Sequence, residues 1–124
     1  MTSTPPLGHI GWFDLTVDDA ALVRDFYAAV AGWQPSAVPM AGYADFAMQA
    51  PDGTAVAGVC HRRGPNADLP AQWIAYIVVA DLDHSHRRAV ELGATSLRAP
   101  TGSGGGRTAF LRDPAGAVFA LYQV

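Results

Sequence analysis

Asp14 stands between Phe13 and Leu15 in an alternating stretch that runs from His9 to Val17. A carboxylate in mid-strand is costly unless its face meets water, a cation or a ligand. Burial there would raise its pKa and suit it to take a proton, which makes Asp14 a candidate general base. The alternative is a partly solvated Asp paired with an arginine or a backbone group. Tyr76 holds the matching place in a second stretch of this kind. Its hydroxyl can donate to a bound carbonyl or to Asp14, or its ring simply walls a pocket. Arg107 closes the run Thr101-Gly-Ser-Gly-Gly-Gly-Arg107 and offers a cation to an anionic ligand group, unless solvent holds it. The run lacks the Gly-Lys-Ser/Thr ending and the following helix of a phosphate loop, so a mobile lid-like loop is expected.

Other reactive types are poorly placed. Cys60 is the only cysteine and stands beside Val59, near Ala57, where it reads as a small buried hydrophobe rather than a nucleophile. His84 and His86 are two apart at the start of a helix, so they point in different directions. His9 lies near the chain start, on the strand face opposite Trp12. His61 is the better histidine, since alternation puts it on one face with Ala57 and Val59. That face either lines a cavity or leaves His61 as a solvated strand end.

The elements that must hold these residues come in two copies, and a repeat governs how the rest is read. Trp12-Phe-Asp-Leu-Thr-Val-Asp-Asp19 leads into a helix, as does Ile74-Ala-Tyr-Ile-Val-Val-Ala-Asp81. Asp18 or Asp19 caps the first helix, where Leu22, Val23, Phe26, Tyr27 and Val30 recur at helical spacing until Gly32 ends it. The second helix is expected from Asp83 to Leu92, before Gly93. Strands are expected at 36–39, 43–49 and 54–61 in the first copy, and at 73–79, 95–98, 107–112 and 117–123 in the second. Pro51-Asp-Gly53 and Asp113-Pro-Ala-Gly116 supply the turns. Residues 62–71 are polar and rich in breakers, as a linker would be. Registering Asp19 on Asp81 aligns Leu15 with Ile77 and Val17 with Val79 on the helix-facing side. Trp12 then aligns with Ile74, and Asp14 with Tyr76, on the other side.

The order of these parts resembles the vicinal oxygen chelate superfamily, to which glyoxalase I, bleomycin-resistance proteins and extradiol dioxygenases belong. The resemblance runs over residues 7–124 and rests on three pieces. They are Leu-Thr-Val-Asp-Asp-(x)6-Phe26-Tyr27-(x)4-Gly32-Trp33, Asp81-Leu-Asp-(x)6-Ala-Val-Glu-Leu-Gly93-Ala and Phe110-Leu-Arg-Asp113-Pro-Ala-Gly116. It implies an α+β fold of two β-α-β-β-β modules, about 7–62 and 72–124, forming one domain with an open U-shaped mixed sheet around a cavity. A homodimer is commonly implied too. Metalloenzymes of the superfamily hold a divalent metal with His and Glu on the first and last strands of each module. Carried over, those positions are Trp12, Ile74, Ala57 and Ala120. None offers imidazole, carboxylate or thiolate, so no metal site and no cofactor is expected, and metal-dependent glyoxalase or dioxygenase chemistry lacks its ligands.

Composition narrows the classes further. The chain has 124 residues, half of them apolar, and a formal net charge of −3. Its scattered basic residues make no footprint for nucleic acid or an anionic membrane surface. No apolar run reaches the roughly eighteen residues of a membrane span, and Met1-Thr-Ser-Thr-Pro-Pro6 reads as a loose start. With one cysteine there is no internal disulfide, and the cytoplasm is the default compartment. Trp12, Trp33, Trp73, Tyr43 and Tyr122 supply flat surfaces, although Trp33, just after Gly32, is better placed to lock helix to sheet. Two functions stay open: a module that binds a small aromatic or apolar metabolite or antibiotic through Trp12, Ile74, Ala57, His61, Ala120, Tyr122 and Arg107, or a metal-independent isomerase, cyclase or lyase. The enzyme would use Asp14 as base and Tyr76 as donor.

Overall fold

A computed structural model describes residues 5–102 and 106–124. Residues 1–4 of the expected loose start Met1–Pro6 and the tip of the glycine run, residues 103–105, lie outside them. The chain divides into two compact units. The first is Phe13–Trp73, and the second joins the residues up to Trp12 with Ile74–Val124. The start of the first strand therefore groups with the second module.

In the first module the order is β1 (Ile10–Val17), α1 (Ala20–Ala31), β2 (Gln34–Pro39), β3 (Ala44–Gln49) and β4 (Ala55–His61). Asp19 rather than Asp18 caps α1, its carboxylate accepting the Leu22 N–H at 3.1 Å. Gly32 ends the helix at φ 72°, a left-handed conformation that costs a side chain energy. β3 lies antiparallel between β2 and β4, and β4 pairs parallel with β1. Ala20 packs against Phe46, Met48 and Val59, with Val23 and Tyr27 on the same helix face. Leu22, Phe26 and Val30, which share the helical spacing, point outward instead and are exposed. Two apolar rows lie side by side on α1, and only the Ala20, Val23 and Tyr27 row meets the sheet. Trp33 does lock this packing: it stacks on Tyr27 and meets Trp73 edge-on, while the Trp73 indole N–H donates to the Tyr27 hydroxyl at 3.1 Å.

The second module repeats the order as β5 (Trp73–Val78), α2 (Leu82–Glu91), β6 (Thr95–Gly102), β7 (Arg107–Arg112) and β8 (Val118–Gln123). Asp81 caps α2 by accepting the His84 N–H at 3.1 Å, as Asp19 does for α1. The expected strand 95–98 runs on to Gly102. β7 lies antiparallel between β6 and β8, and β8 pairs parallel with β5. Leu82 of α2 closes a core with Ala109, Leu111 and Leu121. The two modules thus make an α+β fold, each with a mixed sheet covered by one helix.

The stretch after β4 is less loose than its composition suggests. Arg62 donates to the Leu69 carbonyl at 2.8 Å and to the Asp18 carboxylate at 2.7 Å, and Leu69 is buried. Among the described residues no helix is long and apolar enough to cross a membrane.

Candidate functional site

Which side of each sheet its helix leaves uncovered follows from the strand register. In the second unit Ala109, Leu111 and Leu121 meet Leu82, so the alternate residues face away from α2. Tyr76 pairs with Ala120, and Ala120 with Phe110, in one row across β5, β8 and β7. The Tyr76 and Phe110 rings meet edge to face at 5.6 Å. Tyr122 lies on the same side, opposite Val78 and Thr108. Ile74 and Ala120 are fully buried, whereas Tyr76 and Tyr122 are half-buried. Beyond Phe110, Arg98 of β6 holds its guanidinium 4.2 Å from the Phe110 ring centroid.

In the first unit Val59 and Phe46 meet Ala20, and Leu15 pairs with Val59, so this row faces α1. The next row, Asp14 with Gly58 and Ala47, faces the other way, as do Thr16 and Cys60. Asp14 is half-buried there. Burial pushes the Cys60 thiol well above its ordinary pKa, and the nearby Asp14 and Asp45 carboxylates push it further. A thiol so strongly protonated is not a nucleophile, in line with the hydrophobe that Cys60 resembles in the sequence.

Three expected ligand contacts, Ala57, His61 and Arg107, lie on the helix side of their strands. Ala57 pairs with Met48 on the helix side of β4. Its neighbour Gly58 takes the place equivalent to Ala120, because Asp14 pairs with Gly58 as Tyr76 pairs with Ala120. The cause is a bulge: Met48 faces Ala57 but Gln49 faces Ala55, so Val56 is an extra residue and counting on from Gly53 slips by one. His61, two beyond Val59, shares the helix side. Its Nδ1 bonds the Ala44 carbonyl at 3.0 Å and lies 3.5 Å from the Asp45 carboxylate, while its backbone N–H donates to Asp45 at 2.8 Å. His61 thus ties β3 to β4. Arg107 faces α2, where it grips Asp83 through two hydrogen bonds of 3.0 and 3.1 Å. That pairing raises the arginine pKa and lowers the aspartate's.

Of the expected aromatic surfaces, Trp33 and Trp73 belong to the helix side of the first unit. Tyr43 sits at a strand end, under the Arg63 guanidinium at 4.3 Å and against His61. Trp12 is half-buried in the second unit. Phe110 and Arg98 were not legible as site residues, since Arg98 meets Phe110 only through a pairing of β6 with β7 that is irregular on both sides of Arg98. The superfamily's metal positions thus read Trp12, Ile74, Gly58 and Ala120. None has a side-chain lone pair for a metal, and among the described residues no three His, Cys, Asp or Glu stand close enough to hold one. The residues present do not fit the superfamily's metal.

The family model for the glyoxalase-like domain matches residues 12–122. The chain belongs to the glyoxalase-like family. It is therefore a member of the vicinal oxygen chelate superfamily, with both modules inside the match. The anthracycline biosynthesis proteins DnrV of Streptomyces peucetius and DauV of Streptomyces sp. (strain C5) are each 35% identical to it over 117 residues. Each alignment covers 94% of this chain and 42% of the relative, so the chain spans less than half the length of these curated relatives. Among solved structures, a methylmalonyl-CoA epimerase of Streptomyces coelicolor superposes with a TM-score of 0.59 at 20% identity, covering 95% of this chain and 98% of that one. At that identity the likeness speaks to the fold alone.

Proposed function

We propose that this protein binds a small, planar, largely apolar molecule, an aromatic metabolite or antibiotic, without a metal ion, on sheet faces that its helices leave uncovered. The observation that carries this reading is the residue set Trp12, Ile74, Gly58 and Ala120 at the superfamily's ligand positions, none of which offers a metal donor. Tyr76, Phe110 and Tyr122 support it, because flat rings suit stacking on flat ligands. Relatives named for anthracycline biosynthesis point to fused-ring aromatic compounds as the ligand class. Calorimetric titration of EDTA-treated protein with an anthraquinone is expected to give a micromolar Kd, about −8 kcal/mol. No heat of binding up to millimolar ligand would overturn the proposal.

A second reading makes the protein a metal-independent isomerase, cyclase or lyase. It is favoured by one observation: a half-buried carboxylate, Asp14, stands on the uncovered face of the first unit. There it would take a proton from bound substrate. Asp14→Asn is expected to abolish turnover while sparing affinity, and unchanged turnover would end this reading.

The same proposal places the protein in the cytoplasm, which suits a lone Cys60, and makes it a homodimer. The outward row of Leu22, Phe26 and Val30 on α1 supports the dimer, being an exposed apolar stripe. Light scattering is expected to give twice the chain mass, and half of that for Phe26→Glu.

A further inference from the structure

We propose that Pro35 and Pro39 close the free edge of β2 to strand addition, so that copies of this chain do not join sheet to sheet there. The assignment is independent of ligand binding and of the α1 stripe.

β2 stands at the end of the strand order, with β3 as its one neighbour among the described residues. All six of its residues are exposed. Val38 is 42% exposed, and Met40, just beyond the strand, 36%. An open edge beside exposed apolar side chains is a template for another strand. Which backbone groups the edge presents follows from the register. In an antiparallel pair, residues that exchange both hydrogen bonds with the partner strand alternate with residues whose N–H and C=O point away from it. Met40 donates its N–H to the Tyr43 carbonyl at 2.8 Å, and the pairing runs unshifted from Pro39 with Ala44 to Gln34 with Gln49. By that alternation Val38, Ser36 and Gln34 bond to β3. Pro39, Ala37 and Pro35 turn their backbone groups outward.

Both prolines of β2 therefore stand where β3 loses nothing by their missing N–H. The outer edge loses most of its donors. It presents the carbonyls of Pro35, Ala37 and Pro39 but the N–H of Ala37 alone. A second β2 laid against it brings the same set, so the two copies can exchange only the bonds of their two Ala37 N–H groups. The carbonyls left facing a proline nitrogen would lose water and gain no donor. In the antiparallel arrangement centred on Ala37, the Pro35 carbonyl of each copy meets the Pro39 nitrogen of the other, which carries no hydrogen. The placement is specific, because the same two prolines moved one residue along would break the β2–β3 ladder and leave the outer edge intact.

The test compares the wild-type chain with Pro35→Thr/Pro39→Thr, which restores two outward N–H groups and keeps a residue suited to a strand at both places. Light scattering and thioflavin T fluorescence are followed as protein concentration is raised. Wild-type protein is expected to show no species above twice the chain mass. The double variant is expected to form larger assemblies, with thioflavin fluorescence rising several-fold. Its Tm should stay close to wild type, since no bond to β3 is touched. Ser36→Pro removes an inward N–H instead and is expected to lower Tm by several degrees. A folded double variant that keeps the wild-type mass would overturn the proposal, as would wild-type assemblies as large as the variant's. Loss of the folded circular-dichroism signal in the double variant would show that the prolines hold the β2–β3 pairing itself, and an unchanged Tm for Ser36→Pro would show that the outward positions are others. Either result also ends the proposal.

Discussion

Asp14 and Cys60 show how one sheet face gives two polar residues different prospects. Both lie on the side of β1 and β4 away from α1, within electrostatic reach of one another. The carboxylate is half-buried, whereas the thiol is held protonated by burial and by two neighbouring carboxylates. Cys60 is therefore expected to resist iodoacetamide in native protein at pH 8 and to react once the protein unfolds, which mass spectrometry reads directly. Rapid labelling of the folded form would contradict the assignment. The same shift has a sign in stability. The unfolded chain gives up its thiol proton near pH 8.5 and the folded chain only well above that, so the contribution is intact below about pH 8.5 and is lost as pH rises. Denaturant melts at pH 7.5 and pH 10 are expected to show a larger alkaline loss for wild-type protein than for Cys60→Ala. Asp14 stands out in the sequence because a carboxylate in an apolar strand conflicts with its neighbours. The pairing of Arg107 with Asp83 was not legible because the two lie on different elements, and no local pattern links them.

The helices carry the clearest sequence signatures and answer to local chemistry. Asp19 and Asp81 each satisfy a first-turn N–H, and Gly32 takes a backbone conformation that few other residues tolerate. Replacing either aspartate with alanine is expected to cost about 1 kcal/mol, the usual worth of an N-cap, seen as a lower Tm. Core truncations should cost more: Met48→Ala beneath α1 and Leu111→Ala beneath α2 are each expected to lose about 2–5 kcal/mol in chemical denaturation. A loss under 1 kcal/mol at both would mean that these helices do not seal the cores as described. Strand register was harder to foresee. The extra Val56 in β4 moves the position turned away from α1 from Ala57 to Gly58, and the irregular β6 brings Arg98 onto Phe110. Alternation along one strand cannot reveal a bulge, since a bulge exists only relative to a partner strand. The outward row on α1 was hidden for a related reason, because helical spacing fits Leu22, Phe26 and Val30 as well as it fits Val23 and Tyr27.

At the scale of the whole molecule, the duplicated order of strand, capped helix and three strands survives from sequence to structure because its markers are local: capping aspartates, helix-ending glycines and Asp-Gly turns. Family membership follows from the same markers, as the match over residues 12–122 takes in both copies. Chemistry does not follow from it. The positions at which the superfamily holds a metal carry Trp12, Ile74, Gly58 and Ala120, none of them a metal donor. The most direct test maps a ligand onto the protein: isotope-labelled, EDTA-treated chain titrated with anthraquinone-2-carboxylate and followed by amide chemical shifts. Saturable shifts are expected at Tyr76, Phe110, Ala120 and Tyr122 of the second unit, with α1 and α2 little changed. Shifts confined to the helices, or no shifts at millimolar ligand, would contradict binding on the uncovered sheet faces.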